Sequence, residues 1–233
     1  MNERITNNFF QNKKIQTKPE LLVTPEQEKN IHEIELLTIN IYNKISMVLL
    51  VLNIKKIIDI STLGLYAKNK EEAEKIAVAA EQKLQNIVDF CHKTGLEINS
   101  KKYVNENNGR FIGGYEISIS KDKKTIEELD NATKTKDHKA MGILFGYPES
   151  AVSWFVNRHN NGNEIIDNSI ELKNEIKKEN LNEFLFFKPS PEHWKEELEV
   201  VKKNKEIIKK YAPRLYEEII TARKNNEGKT NCK

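Results

Sequence analysis

The segment Met141-Gly142-Ile143-Leu144-Phe145-Gly146-Tyr147-Pro148-Glu149-Ser150-Ala151-Val152 is where residue types and spacing most invite chemistry. Gly142 and Gly146 stand four apart, so on a helix they share a face and admit a neighbouring backbone. Gly146 can also take positive φ and end the helix, and Pro148 then opens the next one. The first backbone N–H groups of that second helix, at Glu149, Ser150 and Ala151, lack intrahelical acceptors. They would point into the corner made by Tyr147, an arrangement that binds anions. The same residues also fit a structural reading, a tight helix–helix corner with Tyr147, Trp154 and Phe155 in the core.

A second concentration lies near the end. Lys202, Lys203, Lys205, Lys209 and Lys210 fall within little more than two turns of one helix. They form either a solvated amphipathic face or a strip for a nucleic-acid phosphate backbone. Trp194 and Tyr211 flank the strip but are too sparse for a base-stacking platform. His32, His92, His138, His159 and His193 show no HExxH or paired-ligand spacing, and there is no GxSxG, Walker A or GxGxxG motif. No catalytic residue is assigned on these grounds, and no cofactor or metal is expected.

The elements that must position these residues can be read from capping and periodicity. Thr24, Pro25 and Gln27 open a long N-terminal helix with a capping box, and Ile31, Ile34, Thr38, Ile41, Ile45, Val48 and Leu52 run along one face. Met47 to Leu52 is apolar all round, which predicts burial. Ile57 to Tyr66 reads as a strand. Asn69 caps a helix carrying Ala73, Ile76, Ala77, Ala80, Leu84, Ile87, Val88 and Cys91 on one face, and Gly95 ends it. Leu96–Val104 and Arg110–Ser120 form a hairpin, with Gly113-Gly114 marking a bulge or a close backbone approach. Asp122 and Asp137 cap two short helices, and a third runs from Pro148 to Asn157. A loop at 159–163, a polar helix over about 164–179 and a short apolar strand or turn at Phe184–Phe187 follow. A last long helix spans Glu192 to about Tyr211, and Pro213 starts a short one towards Arg223. The order β-α-β-β-α over 57–132 is that of a ferredoxin-like sandwich, with Phe184–Phe187 available as a closing strand.

The expected architecture is therefore α+β: a long N-terminal helix, the βαββα unit and a helical C-terminal half. It forms one globular domain over 21–223, divided into an α+β part (21–133) and a helical part (137–223), between disordered tails at 1–20 and 224–233.

The chain has 233 residues with 38% hydrophobic and 31% charged side chains, enough for one core and unlike collagen or a wholly disordered chain. Lys, Asn and Ile dominate at 33, 27 and 27 residues, against 5 Arg. The net charge of +3 is unevenly spread. Residues 1–20 and 191–233 are net basic, and the stretch between them is slightly acidic. This places a nucleic-acid role second to binding of a protein or small ligand. Cys91 and Cys232 are the only cysteines. A buried reduced thiol and a tail thiol fit a cytoplasmic location. The most apolar run, Ile45 to Ile54, is too short to cross a bilayer, so no membrane role is expected.

The motif Met-Gly-x-Leu-x-Gly-Tyr-Pro-Glu over 141–149 resembles a segment of the uncharacterised prokaryotic family known as domain of unknown function 483. Lys188-Pro189-Ser190-Pro191-Glu192-His193 and Lys210-Tyr211-Ala212-Pro213-Arg214-Leu215-Tyr216 extend the resemblance over roughly 137–220. Where that family carries two pairs of cysteines, this chain has Ser150 and Ala151, and Pro189 and His193. Four cysteines could hold zinc or an iron–sulfur cluster. The resemblance thus implies a member that has lost such a metal site and survives as a binding or interaction module. It adds His193 and Trp194 to Gly146, Tyr147, Pro148, Glu149 and Ser150 as candidate ligand-binding residues. Nothing catalytic is carried over from the family; a separate, enzymatic alternative requires Tyr147, Glu149, Ser150 and His193 to converge in one pocket.

Overall fold

The structure, a computed structural model, describes residues 21–107, 109–160 and 170–230. The expected N-terminal tail, the last three residues and the segment 161–169, which holds most of the predicted loop and the start of the predicted 164–179 helix, lie outside the described residues. What is described is an α+β fold, largely helical, around a three-stranded antiparallel sheet.

The chain opens as foreseen at Thr24, whose hydroxyl accepts from Gln27 N while Gln27 Oε1 accepts from Thr24 N. The expected long helix is instead two helices, α1 (Pro25–Leu36) and α2 (Ile41–Val51). Leu37 turns extended at ψ 139°, and Asn40 caps α2 by accepting from Asn43 N at 2.8 Å. Periodicity ran on across the break because Thr38 and Ile41 happen to keep the step. The local preference of Asn40 for a capping geometry outweighs it. The break lets α1 fold back on α2 and bury Ile31 and Ile34 against it. Met47 to Leu52 are buried throughout, as their all-round apolarity requires.

Strand β1 (Ile57–Ala67), helix α3 (Lys70–Thr94) and strands β2 (Glu97–Asn107) and β3 (Arg110–Ser120) follow, with β3 inserted between β1 and β2. Asn69 and Gly95 cap α3 as read from the sequence, Gly95 at φ 68°. Register puts Ile58 and Ile60 opposite Ile119 and Ile117, and this face packs under α3. Of the two meanings offered for Gly113-Gly114 the close approach applies, since a Cβ on Gly113 would lie 2.1 Å from the Ala73 carbonyl oxygen of α3; the register shift lies opposite, in β1 between Thr62 and Leu65.

Helix α4 (Lys123–Thr135), capped by Asp122, completes the βαββα order. It departs from a two-layer sandwich. Ile126 and Leu129 of α4 pack on Ile57, which faces away from α3, so the helices cover opposite faces of the sheet. The closing strand is also not formed at Phe184–Phe187. Residues Asn182–Phe184 make one 3-10 turn, Phe184 is buried in the main core, and the described sheet keeps three strands.

The helical half comprises α5 (His138–Leu144), α6 (Glu149–Asn160), α7 (Ile170–Lys178), α8 (Trp194–Tyr211) and α9 (Pro213–Thr230). Helix α9 continues to Thr230, through most of the stretch expected to be a disordered tail. Its first turn is capped from afar: Glu35 Oε1 accepts from Arg214 N and Leu215 N at 3.0 and 3.1 Å. Lys44, almost wholly buried, donates to the Glu35 carbonyl and to Glu218 of α9. Among the described residues no helix is long and apolar enough to cross a membrane.

Candidate functional site

Helices α5 and α6 meet at Gly146, whose φ of 73° only a residue without Cβ adopts at little cost. Gly142 admits a close neighbour, as expected, but the neighbour is a side chain rather than a backbone. A Cβ there would lie 2.6 Å from Val152 Cγ2, so the glycine lets α5 and α6 close on each other. The turn throws Tyr147 against Phe145 and Phe187, with ring centroids 5.6 and 5.8 Å apart. Between these helices and the segment 186–188 lies a cavity of about 300 Å³. Its walls are mainly aromatic and aliphatic: Phe145, Tyr147, Val152, Phe155, Phe186 and Phe187. Polar character comes from His138 and Lys188, and among the described residues no acidic side chain lines it.

The two motif segments are neighbours, joined by a residue the sequence reading did not single out. Glu197, on α8, is 2% exposed. Its Oε1 accepts from Ser150 Oγ at 2.6 Å and from Ser190 Oγ at 2.7 Å, and its Oε2 accepts from Ser190 N at 2.7 Å. Ser190 Oγ in turn accepts from His193 N at 3.2 Å, which seats the start of α8. One carboxylate thus ties α6, the Lys188–His193 link and α8 together. At this corner the carboxylate meets the Ser150 hydroxyl, a different group from the backbone N–H donors expected to draw an anion. A signal existed: Glu197 lies on the stripe Leu198, Val201, Ile208 that α8 buries, four residues before Val201.

A second titratable group lies on the other side of Tyr147. Lys55 Nζ sits 5.4 Å from the Tyr147 ring centroid and 4.4 Å from that of Phe186. Among the described residues it makes no ion pair or hydrogen bond through Nζ, and burial lowers its pKa to about 8. Burial, with the negative charge of Asp59, pushes the Tyr147 hydroxyl up to about 12. Asp59 lies on the α4 side of β1 and keeps contact with solvent. Crowding by protein and then the Glu116 carboxylate hold it up at about 6, against opposing hydrogen bonds from Ser118 and Ile60 and the charge of Lys101. Nothing in the spacing of Lys55 marked it, since Lys55-Lys56 reads as a solvated turn before a strand.

The remaining candidates divide. Tyr147 walls the cavity, Gly146 and Pro148 shape the corner, and Ser150 belongs to the Glu197 cluster. Glu149 and His193 are exposed, and His193 joins the cluster through its backbone N–H. Trp194 packs on the main core, away from the cavity wall. Tyr147, Glu149, Ser150 and His193 therefore do not share one set of contacts. The lysines of α8 are split as well. Lys202, Lys205 and Lys209 lie on one side and Lys203 and Lys210 about a third of a turn away. Lys202 is held by Glu175 and Glu199, and Lys205 donates to the Glu179 carbonyl.

Cys91 is buried in α3, which pushes its thiol up to about 12, a value that leaves it inert. Among the described residues no three His, Cys, Asp or Glu side chains are arranged to hold a metal. At the positions the resemblance would give to thiolates stand a hydroxyl already bonded to Glu197, a buried methyl, a proline and an exposed imidazole, a set that does not fit zinc or an iron–sulfur cluster. No family model, curated protein or solved structure matches the chain.

Proposed function

We propose that the chain is a non-catalytic binding module whose ligand, a small and largely apolar molecule, occupies the cavity at the Gly-Tyr-Pro corner. The observation that carries this reading is the cavity itself: about 300 Å³, walled by aromatic rings and opening beside a corner built by two positionally constrained glycines. That volume lies at the small end of ligand pockets, and the lining has their usual make-up of apolar walls with few polar groups. A cytoplasmic setting belongs to the same reading and is supported by the buried thiol of Cys91. Kinship with the domain-of-unknown-function family 483 is part of the proposal too. It is supported by the contact between the two motif segments through Ser150, Glu197 and Ser190, in a member whose cysteine positions carry other residues.

The test is binding of an environment-sensitive naphthalene dye, read by fluorescence. Ala151 is 3% exposed and lines the cavity, so Ala151→Phe should fill it. The expected result is dye enhancement in the native protein and its loss in Ala151→Phe at unchanged circular dichroism. Equal enhancement in both would sink the proposal. The nucleic-acid alternative is less favoured, because Lys202 and Lys205 are engaged within the fold and the five lysines form no single face.

A further inference from the structure

Among the described residues the cavity walls are asymmetric in charge. Two basic side chains, His138 and Lys188, line them and no described Asp or Glu does. A third basic group, Lys55, lies outside the lining but stands over Tyr147 and Phe186, two of the rings that wall the space. Elsewhere in this protein a buried or half-buried charge is met by an opposite one or by several hydrogen bonds. Lys44 has Glu218 and a carbonyl, Lys202 has two carboxylates, and Glu197 has three donors. Among the described residues Lys55 Nζ has only ring faces. An ammonium on aromatic faces gains cation–π attraction, yet it keeps unspent hydrogen-bond donors and no counter-ion. Desolvation of that kind costs free energy that an anion arriving from outside would return.

We propose that the ligand of this cavity is a small amphipathic anion, an aromatic or short-chain carboxylate, whose apolar body fills the ring-lined space and whose carboxylate is paired by Lys55. The inference rests on the cavity reading above and names the chemical class of its occupant. Lys55 supplies the charge, and Phe145, Phe155 and Phe187 supply the apolar complement. Ser150 and Glu197 stay outside the interaction, because Glu197 would repel the head group and its oxygens are already engaged.

The experiment compares naphthalene carboxylate with its neutral amide by calorimetry, using the full chain. The carboxylate is expected to bind at least about tenfold more tightly, the scale of one charge-assisted contact. Lys55→Met should abolish that preference while the amide still binds, and Lys55→Arg should keep it. Raising the pH through about 8 should weaken the carboxylate in the native protein, because the ammonium is lost there, and leave it unchanged in Lys55→Arg. The other titratable groups to account for are Tyr147, whose ring faces Lys55, Asp59, which acts on Tyr147, the chain neighbour Lys56, and His138 and Lys188 in the cavity lining. Asp59 titrates near 6 and Tyr147 near 12, away from this step, and the Lys55→Met profile accounts for the rest. Equal binding of acid and amide, or a preference that survives in Lys55→Met, overturns the anion inference and leaves the cavity reading standing. Binding of neither compound overturns both.

Discussion

The Glu197 carboxylate and the Lys55 ammonium flank the same corner, one beyond Ser150 and the other beyond Tyr147. Glu197 is buried more deeply, yet three donors from two separate segments converge on it. Lys55 is less enclosed and meets only the faces of two rings. The difference separates a charge that holds a fold together from a charge the fold leaves uncommitted. A satisfied buried carboxylate resists change because each donor it releases is stranded without water. An unsatisfied ammonium carries a cost that only a partner absent from the chain can remove. On this comparison the Glu197 cluster is architecture, and the Lys55 side of the corner is where a ligand has something to gain.

The largest expected effect is that of Glu197→Ala. It strands the Ser190 N–H and two hydroxyls, and should cost about 3 kcal/mol, or roughly 6–12 °C in melting temperature for a chain of this size. A melting temperature within a degree of the native value would remove the distinction drawn here, since Glu197 would then hold nothing. Ser150→Ala removes one of the three bonds and leaves Ser190 to satisfy the carboxylate. A loss of about 1 kcal/mol by denaturant unfolding is expected, well short of Glu197→Ala. A loss as large as that of Glu197→Ala would mean that Ser150, not the carboxylate, is the keystone.

Lys55→Met should act in the opposite sense and weakly, within about 1 kcal/mol, because lost cation–π attraction partly offsets the relief of desolvation. Its signature is the pH dependence. The folded-state pKa near 8 lies below the ordinary 10.5, so between these values the unfolded chain binds more protons than the folded one. Native stability should therefore rise with pH across that window relative to Lys55→Met. Melting curves at pH 7.5 and 10.5 measure it, and a native curve parallel to the variant's would show that Lys55 is not desolvated in solution.

Much of the scaffold was legible residue by residue, because caps act locally. Thr24, Asn69, Gly95, Asp122 and Asp137 each begin or end the helix they were expected to, and the glycines at 113, 142 and 146 each answer a real steric or φ demand. The break between α1 and α2 escaped because the apolar step continues across it, while Asn40 caps α2 by a local preference that periodicity does not register. The rest of what escaped was set by contacts distant in sequence. Phe184–Phe187 is apolar enough for a strand, but Phe184 enters the main core and Phe186 and Phe187 turn to the cavity. At the site, the Gly-Tyr-Pro corner was visible and its partners were not. Glu197 is one of three glutamates between 196 and 199, and only its register with Val201 tells it from its neighbours. Lys55 has no local pattern, because what distinguishes it are rings more than ninety and one hundred and thirty residues further along.

The second half of helix α2, from Met47, is apolar on every side, and what packs on the helix includes α8, α9 and the 3-10 turn, all made more than one hundred and thirty residues later. The cap on the first turn of α9 comes from Glu35, and the Tyr211 hydroxyl donates to the Leu21 carbonyl. On the ribosome this order has a cost. The greasiest segment of the molecule emerges early and, with only α1 and β1 to pack on at first, stays partly uncovered until nearly the whole chain has been translated, so nascent chains stalled before residue 194 should be the ones that engage holdase chaperones.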